Sequence, residues 1–146
     1  MQLMELDNKD LKIIEMLKNN AREPIKDIAR KTGIRPSTVH QRIQRLIKNN
    51  VIEKFTIRLN NKAVGESFIA FMLIKGTTSE YISNKFLNNK SVKEVFGVTG
   101  EYDVLAKLKF KDVEEFNGFL INFRKEMKGV SSTMTMVTTA NIKEEV

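Results

Sequence analysis

The sequence predicts an α+β protein with an N-terminal helix-turn-helix domain, winged-helix-like and made of three helices, and a C-terminal ferredoxin-like βαββαβ sandwich. Ala29, Gly33 and Val39 predict the first domain, because a small residue, a glycine four positions later and a β-branched residue six positions further on are typical of a helix-turn-helix. The second domain is predicted by apolar patterns that follow one another as strand, helix, strand, strand, helix and strand.

Net charge separates the two halves of the chain. Residues 1–65 carry the whole formal charge of +7, and residues 66–146 are neutral. An excess of Lys and Arg in one half favours a polyanion such as nucleic acid as the partner of that half. The alternative is an ordinary solvated basic face, and charge alone does not decide between the two.

Composition excludes several classes of protein. The 146 residues contain no cysteine and 41% of them are hydrophobic, which supports real cores and argues against disulfides and thiolate metal sites. No stretch approaches the roughly 20 apolar residues of a membrane span, and the N-terminus has no basic region followed by an apolar run. We therefore expect a cytoplasmic protein with no membrane partner.

The first domain begins with three predicted helices. Asp7 is a good N-cap, Asp10 gives an acidic first turn, and apolar residues follow at helical spacing as far as Leu17. A second helix starts near residue 25 and ends at the glycine of the predicted turn. Pro36 suits the first position of the third helix.

The third helix has one apolar and one polar face. Its core stripe is predicted to contain Val39, Ile43, Leu46 and Ile47. The opposite face holds Ser37, Gln41, Gln44, Arg45 and Lys48, with Thr38, His40 and Arg42 on the flanks. Gln pairs with adenine and Arg with guanine in the major groove, so these residues are candidate DNA contacts. The alternative is a polar face that only meets solvent.

A strand is predicted after the third helix. From Val51 the period changes, and Phe55, Ile57 and Leu59 alternate with polar residues as in a half-buried strand. The polar stretch that follows contains Gly65. We therefore predict a DNA-binding domain with its following strand at 1–60, a linker at 61–66 and the second domain at 67–146.

The second domain is predicted to contain six elements. They are strands at 67–75, 92–99, 102–110 and 132–139, and helices at about 79–88 and 113–127. Asp112 and Glu115 form a capping pattern for the second helix, and residues 100–103 make the hairpin turn. Both faces of the first strand are apolar, yet two helices cover only one face of a sheet. We therefore infer a dimer through the sheet.

Nothing in the sequence supports catalysis. There is no phosphate-binding glycine loop and no nucleophile with a nearby base. His40 is the only histidine, so a metal site is not expected either. We predict a protein that is not an enzyme and carries no cofactor or metal.

The whole chain resembles the Lrp/AsnC family of leucine-responsive, or feast/famine, transcription regulators. The resemblance rests on Leu6-Asp7, Ile28-Ala29, Gly33-Ile34, Arg42-Ile43, Val51-Ile52 and Val98-Thr-Gly-Glu-Tyr-Asp103. It implies dimers built through the ferredoxin-like domains that often assemble into octamers, and paired helix-turn-helix units on pseudo-palindromic sites in double-stranded DNA. The basal transcription machinery is a further expected partner.

The resemblance also implies a small effector, commonly an amino acid, held beside the 100–103 turn and the last strand. The residues expected at this site are Gly100, Tyr102, Asp103, Thr133 and Thr135. A carboxylate such as that of Asp103 can accept from an ammonium group, and backbone N–H groups near Gly100 can bind a carboxylate. Alternatively, Gly100 and Asp103 only make the hairpin turn.

Two residues depart from the family pattern. Arg35 stands where an N-cap serine is usual before the recognition helix, which forgoes a cap worth roughly 1 kcal/mol and adds a cation for phosphate contact. Pro24 replaces a frequent serine before the second helix. The sequence thus predicts a sequence-specific transcription regulator modulated by an amino acid. The alternatives are a nonspecific DNA-packing protein with a metabolite-sensing domain and, more remotely, an enzyme on the ferredoxin-like scaffold.

Overall fold

A computed structural model describes residues 5–76 and 82–144 of the chain. The chain forms two compact units that divide between Arg58 and Leu59. The first unit contains helices α1 (Asn8–Asn19), α2 (Ile25–Thr32) and α3 (Pro36–Lys48). The three predicted helices are therefore confirmed.

Local signals explain where these helices begin and end. The Asp7 carboxylate accepts from the backbone N–H groups of Lys9 and Asp10, and Asp10 accepts from the Asp7 N–H, which completes a capping box. Gly33 ends α2 in the left-handed conformation, with φ of 67°. Arg35, the N-cap of α3, provides no side-chain cap, as its sequence predicts.

The predicted core stripe of α3 is confirmed. Val39 and Leu46 are fully buried, Ile43 is buried, and Ile47 packs against the same core as a partly buried residue. Val39 and Ile43 belong to the core cluster of the first unit, whose buried members come from all three helices and the turn before α3: Ile13, Ile28, Ala29, Ile34, Val39 and Ile43. This packing fixes which side of α3 is left for solvent or a ligand.

The prediction of a strand after α3 was wrong. Residues 51–60 are extended or bent but belong to no sheet. The alternating residues Phe55, Ile57 and Leu59 are exposed, Ile57 to 72%. A strand needs a neighbouring strand for its backbone hydrogen bonds, and no described segment of this chain supplies one.

The second unit is the predicted βαββαβ sandwich. Its elements are β1 (Phe68–Gly76), α4 (Asn84–Leu87), β2 (Val92–Gly97), β3 (Val104–Phe110), α5 (Val113–Glu126) and β4 (Val130–Val137). The four strands form one antiparallel sheet in the order β2-β3-β1-β4. This order places the first and third strands in the centre of the sheet.

Several element boundaries differ from the prediction. Helix α4, predicted at about 79–88, has only one described turn, which begins after the N-cap Ser83. Residues 79–81 of the predicted helix lie outside the described residues. The hairpin strands are shorter than expected at the turn, while β4 begins at Val130 rather than at Ser132. The cap of α5 is confirmed, because Asp112 accepts from the Glu115 N–H.

One face of the sheet packs against the helices. The alternate β1 residues Ala70, Met72 and Ile74 are fully buried in a core with residues of β3, α4 and α5. Phe110 is the largest fully buried side chain, and its ring lies 5.2 Å from that of Phe119 between centroids. Contacts between phenylalanine rings therefore contribute to the packing of the helices on the sheet.

The opposite face of the sheet, which no helix of the described residues covers, presents both apolar side chains and lysines. The cross-strand register aligns four apolar side chains in one row over all four strands: Phe96, Leu105, Leu73 and Met134. Phe96 and Met134 are exposed, and the two central residues are half-buried. The C-terminal segment crosses the sheet beside this row, where Glu144 pairs with Lys107 and Lys109. We refer to the four residues as the open-face row.

Candidate nucleic-acid interface

The polar face of α3 is the candidate interface. The structure leaves seven of the nine predicted contacts exposed: Arg35, Ser37, His40, Gln41, Gln44, Arg45 and Lys48. Thr38 is half-buried. The opposite side of α3 is buried in the core of the first unit, so this polar face is the side that can contact a ligand.

Arg42, the ninth predicted contact, lies in an ion-pair cluster with α1. Its Nη1 donates to both carboxylate oxygens of Asp7, at 2.9 and 2.8 Å, and to Oδ1 of Asp10 at 2.7 Å. The Arg42 side chain is only 20% exposed, and its Nε is buried without a hydrogen-bond partner among the described residues. The structure therefore brings Arg42 to the first helix rather than to the exposed face.

Arg45 stands at the border between the ion-pair cluster and the exposed face. Its Nη2 donates to Oδ2 of Asp10 at 2.7 Å, while the side chain is 49% exposed. Asp10 itself is fully buried, and its two oxygens serve different arginines. One carboxylate thus connects the first helix to two successive turns of the third.

Hydrogen bonding shifts the pKa values of Asp7 and Arg42. The backbone N–H of Asp10 and then the Arg42 guanidinium hold the pKa of Asp7 at about 2, below its ordinary value of 3.8. The carboxylates of Asp10 and Asp7 raise the pKa of Arg42. These hydrogen bonds favour the charged forms of Asp7 and Arg42.

The sequence pattern indicates Asp7 as an N-cap and Asp10 as an acidic residue of the first turn, but it does not indicate their pairing with α3. The capping pattern is local, because the residues lie three positions apart. The ion pairs join residues 32 to 35 positions apart, and helical periodicity within α3 carries no information about them. The sequence signal for this pairing is the position of an arginine near the border of the core stripe, because a side chain there could face another helix.

The predicted effector residues lie near one end of the sheet. Asp103 donates its backbone N–H to the Ile74 carbonyl, and its Oδ2 accepts from the Gly76 N–H at 2.9 Å. Gly100 has φ of 132°, a conformation that suits glycine, and Tyr102 is half-buried. The Asp103 carboxylate therefore already has one structural role, which is to tie the hairpin turn to the end of β1.

The two threonines lie on the edge strand of the same sheet. Thr133 pairs with Ile74 and Thr135 with Met72 in the β1–β4 register. Thr133 and Asp103 therefore adjoin the same residue from opposite sides of β1. The register thus brings Thr133 and the Asp103 end of the turn to the same end of the sheet, with Thr135 two positions further along β4.

Membrane spans and metal centres are two other classes of site that a chain of this size can contain. Among the helices in residues 5–76 and 82–144, none has the length and apolar character needed to cross a membrane. In the same ranges, His, Asp and Glu side chains form no group of three or more that could hold a metal ion.

Family comparisons match both units. Residues 6–47 match the AsnC-type helix-turn-helix domain, and residues 68–146 match the Lrp/AsnC ligand binding domain. An uncharacterised HTH-type transcriptional regulator of Pyrococcus horikoshii is 40% identical, over 97% of each chain. The HTH-type transcriptional regulator FL11 of Pyrococcus furiosus is 38% identical, over 95% of this chain and 93% of its own.

Solved structures have the same fold. AsnC of Escherichia coli superposes with a TM-score of 0.89 at 25% identity, covering 98% of each chain. A transcriptional regulator of Neisseria meningitidis, solved as a complex with L-Met, superposes with a TM-score of 0.90 at 22% identity, covering 97% of this chain and 94% of its own. The combination of a three-helix unit with the βαββαβ sandwich is therefore shared along nearly the whole chain.

Proposed function

Because the chain belongs to the Lrp/AsnC family of transcription regulators, we propose that it binds specific promoter sequences through the exposed face of α3. The observation that carries this proposal is the composition of that face. Gln41 and Gln44 offer amides that can pair with adenine, Arg45 offers a guanidinium for guanine, and Arg35 and Lys48 offer cations for phosphates. A regulator of this kind works in the cytoplasm, beside the basal transcription machinery.

The open-face row supports a dimer. The open-face row would be covered if two copies joined their sheets, and contiguous exposed apolar side chains are typical of an interface. A two-fold axis through the sheets would present two α3 helices to pseudo-palindromic half-sites about one turn of DNA, roughly 34 Å, or a multiple of it apart. Dimers of the family type can assemble further, into octamers.

Selection of bound sequences from random DNA tests the proposed specificity. We expect a pseudo-palindromic site that the full chain binds at least about 10³-fold more tightly than random duplex at the same salt concentration. A ratio well below this value would favour the alternative of nonspecific DNA packing. Failure to bind any duplex at low salt would refute both functions.

Sedimentation tests the proposed dimer. Phe96→Lys places a charge in the open-face row, and we expect it to shift the chain from dimer to monomer. Ile121→Lys is a matched control, because Ile121 is similarly exposed but lies on α5. If Phe96→Lys remains a dimer under conditions where the control does, the two copies do not join through this face.

We further propose that an amino acid binds beside the 100–103 turn. The Asp103 carboxylate is exposed and could accept from an ammonium group, and the Neisseria neighbour was solved with an amino acid bound. Calorimetric titration with a panel of amino acids is the test. We expect Asp103→Asn to weaken binding of the best amino acid about tenfold or more, whereas Glu101→Gln, a change of equal charge in the same turn, should not. Equal affinity in both variants would place the effector elsewhere.

A further inference from the structure

We propose that Asp10 is a specificity-determining positioning residue, which acts on DNA recognition by orienting Arg45. This inference rests on the proposed function, since it assumes that α3 reads DNA. Asp10 does not touch DNA in this proposal. It selects which of the Arg45 donors are left for the DNA and in which direction they point.

The first step is that the Asp10 carboxylate is rigid. It is fully buried and is held from three directions: by the Asp7 backbone N–H, by Arg42 and by Arg45. The capping box fixes it relative to the α1 backbone, and the packing of the first unit fixes α1 relative to α3. An acceptor held in this way has a defined position.

The second step is that Arg45 is only partly engaged. Its Nη2 donates to Asp10 at 2.7 Å, but about half of the side chain remains exposed on the face that carries the two glutamines. A guanidinium is planar, so fixing one nitrogen against a rigid acceptor restricts the orientation of the other donors. An unrestrained arginine can turn its donors to fit the acceptors of more than one base, which reduces discrimination between bases.

The third step is that the same carboxylate separates two neighbouring arginines by role. Arg42 and Arg45 lie three residues apart and both face α1, but Arg42 is mostly buried and Arg45 is not. If the Asp10 charge were removed, both guanidinium groups would be held less firmly and the first unit would gain one net positive charge. Attraction to phosphates of any sequence would then rise while base selection by Arg45 fell.

A variant that loses base selection while its nonspecific affinity is kept or raised is not explained by simple destabilisation. For the full-length Asp10→Asn chain we expect the ratio of specific to nonspecific affinity to fall about tenfold or more, with nonspecific affinity equal to or above that of the unchanged chain. Glu15→Gln is the matched control, because it removes the same charge from an exposed position on α1. It should leave the ratio unchanged.

Selection from random DNA locates the effect. Asp10→Asn should lose base preference at the same position of the site as Arg45→Ala, and the double variant should lose no more than Arg45→Ala alone. Preference kept at that position in Asp10→Asn, or additive losses at different positions, would overturn the inference. A ratio that falls equally with Glu15→Gln would do the same, since the effect would then be one of net charge.

A second variant covers the case in which Asp10→Asn does not fold. Arg45→Lys leaves the buried carboxylate in place and keeps the charge, but it removes the planar fork. We expect it to lose base preference at the Arg45 position while keeping nonspecific affinity, and full retention of preference would overturn the inference. Absence of any preferred sequence for the unchanged chain is a different result, because it would refute the proposed function itself.

Discussion

Replacing Arg42 by methionine should separate its structural role from a role in DNA binding. Breaking a buried ion pair destabilises a protein by about 3–5 kcal/mol. The lower value, about 3 kcal/mol, applies here because Asp10 would keep Arg45 as a partner. Removal of the buried Nε, which has no hydrogen-bond partner among the described residues, offsets about 1 kcal/mol of this. We therefore expect the free energy of unfolding to fall by about 2 kcal/mol.

Lys48→Met is the matched comparison for that variant. Lys48 is also a cation of α3, but it is exposed at the end of the helix, so the expected change in stability is within about 0.5 kcal/mol. The effects on DNA binding should be reversed. Lys48→Met should reduce the slope of log affinity against log salt by about 0.9 for each DNA phosphate that Lys48 neutralises, and Arg42→Met should leave the slope nearly unchanged.

Two measurements on full-length chains check this pair of expectations. Denaturant unfolding followed by circular dichroism gives the stability, and hydrogen exchange shows whether the destabilisation is confined to α1 and α3. Binding titrations over a range of salt give the slope. If Arg42→Met were as stable as Lys48→Met and reduced the slope equally, Arg42 would bind phosphate and the ion-pair cluster would contribute nothing to the fold.

Two further predictions concern the core and the acid titration. Phe110→Ala should lower the free energy of unfolding by about 3–5 kcal/mol, because it removes the largest fully buried side chain, and thermal unfolding of the second unit measures this change. An NMR titration should give Asp7 a pKa of about 2. Because this pKa is lowered from 3.8, the stability that Asp7 contributes is fully present above pH 3.8 and is lost as pH falls through 2, so Asp7→Asn should approach the unchanged chain in stability at low pH. An Asp7 pKa near 3.8 would contradict both the hydrogen bond from the Asp10 N–H and the ion pair with Arg42.

The helices and the order of the elements along the chain could be predicted because their signals are local. Capping residues, the left-handed Gly33 and the apolar period each act within one or two turns of chain, and the structure confirms them. The strand after α3 was predicted wrongly for the same reason. Alternation at Phe55, Ile57 and Leu59 is a local signal, but a strand also needs a partner, which the described part of this chain does not provide.

The candidate interface also depends on contacts that local sequence signals do not reveal. A helical projection places Arg42 and Arg45 near the polar face of α3, and from their charge alone both are candidate DNA contacts. Which of them is available depends on Asp7 and Asp10, which lie more than thirty positions earlier in the chain. The packing of α1 against α3 therefore decides the chemistry of the face.

This pairing also changes how the charge of the first unit should be counted. The formal excess of +7 in residues 1–65 treats every cation as equal, but the Arg42 charge is neutralised within the fold and that of Arg45 is shared with a buried carboxylate. The strength of nonspecific binding should therefore follow cations such as Arg35 and Lys48, which are exposed at the two ends of α3, rather than the total. Base selection, in contrast, should depend on the restrained Arg45. Under the proposed function, affinity and specificity depend on different residues of one short helix, so we expect the two to respond independently to mutation.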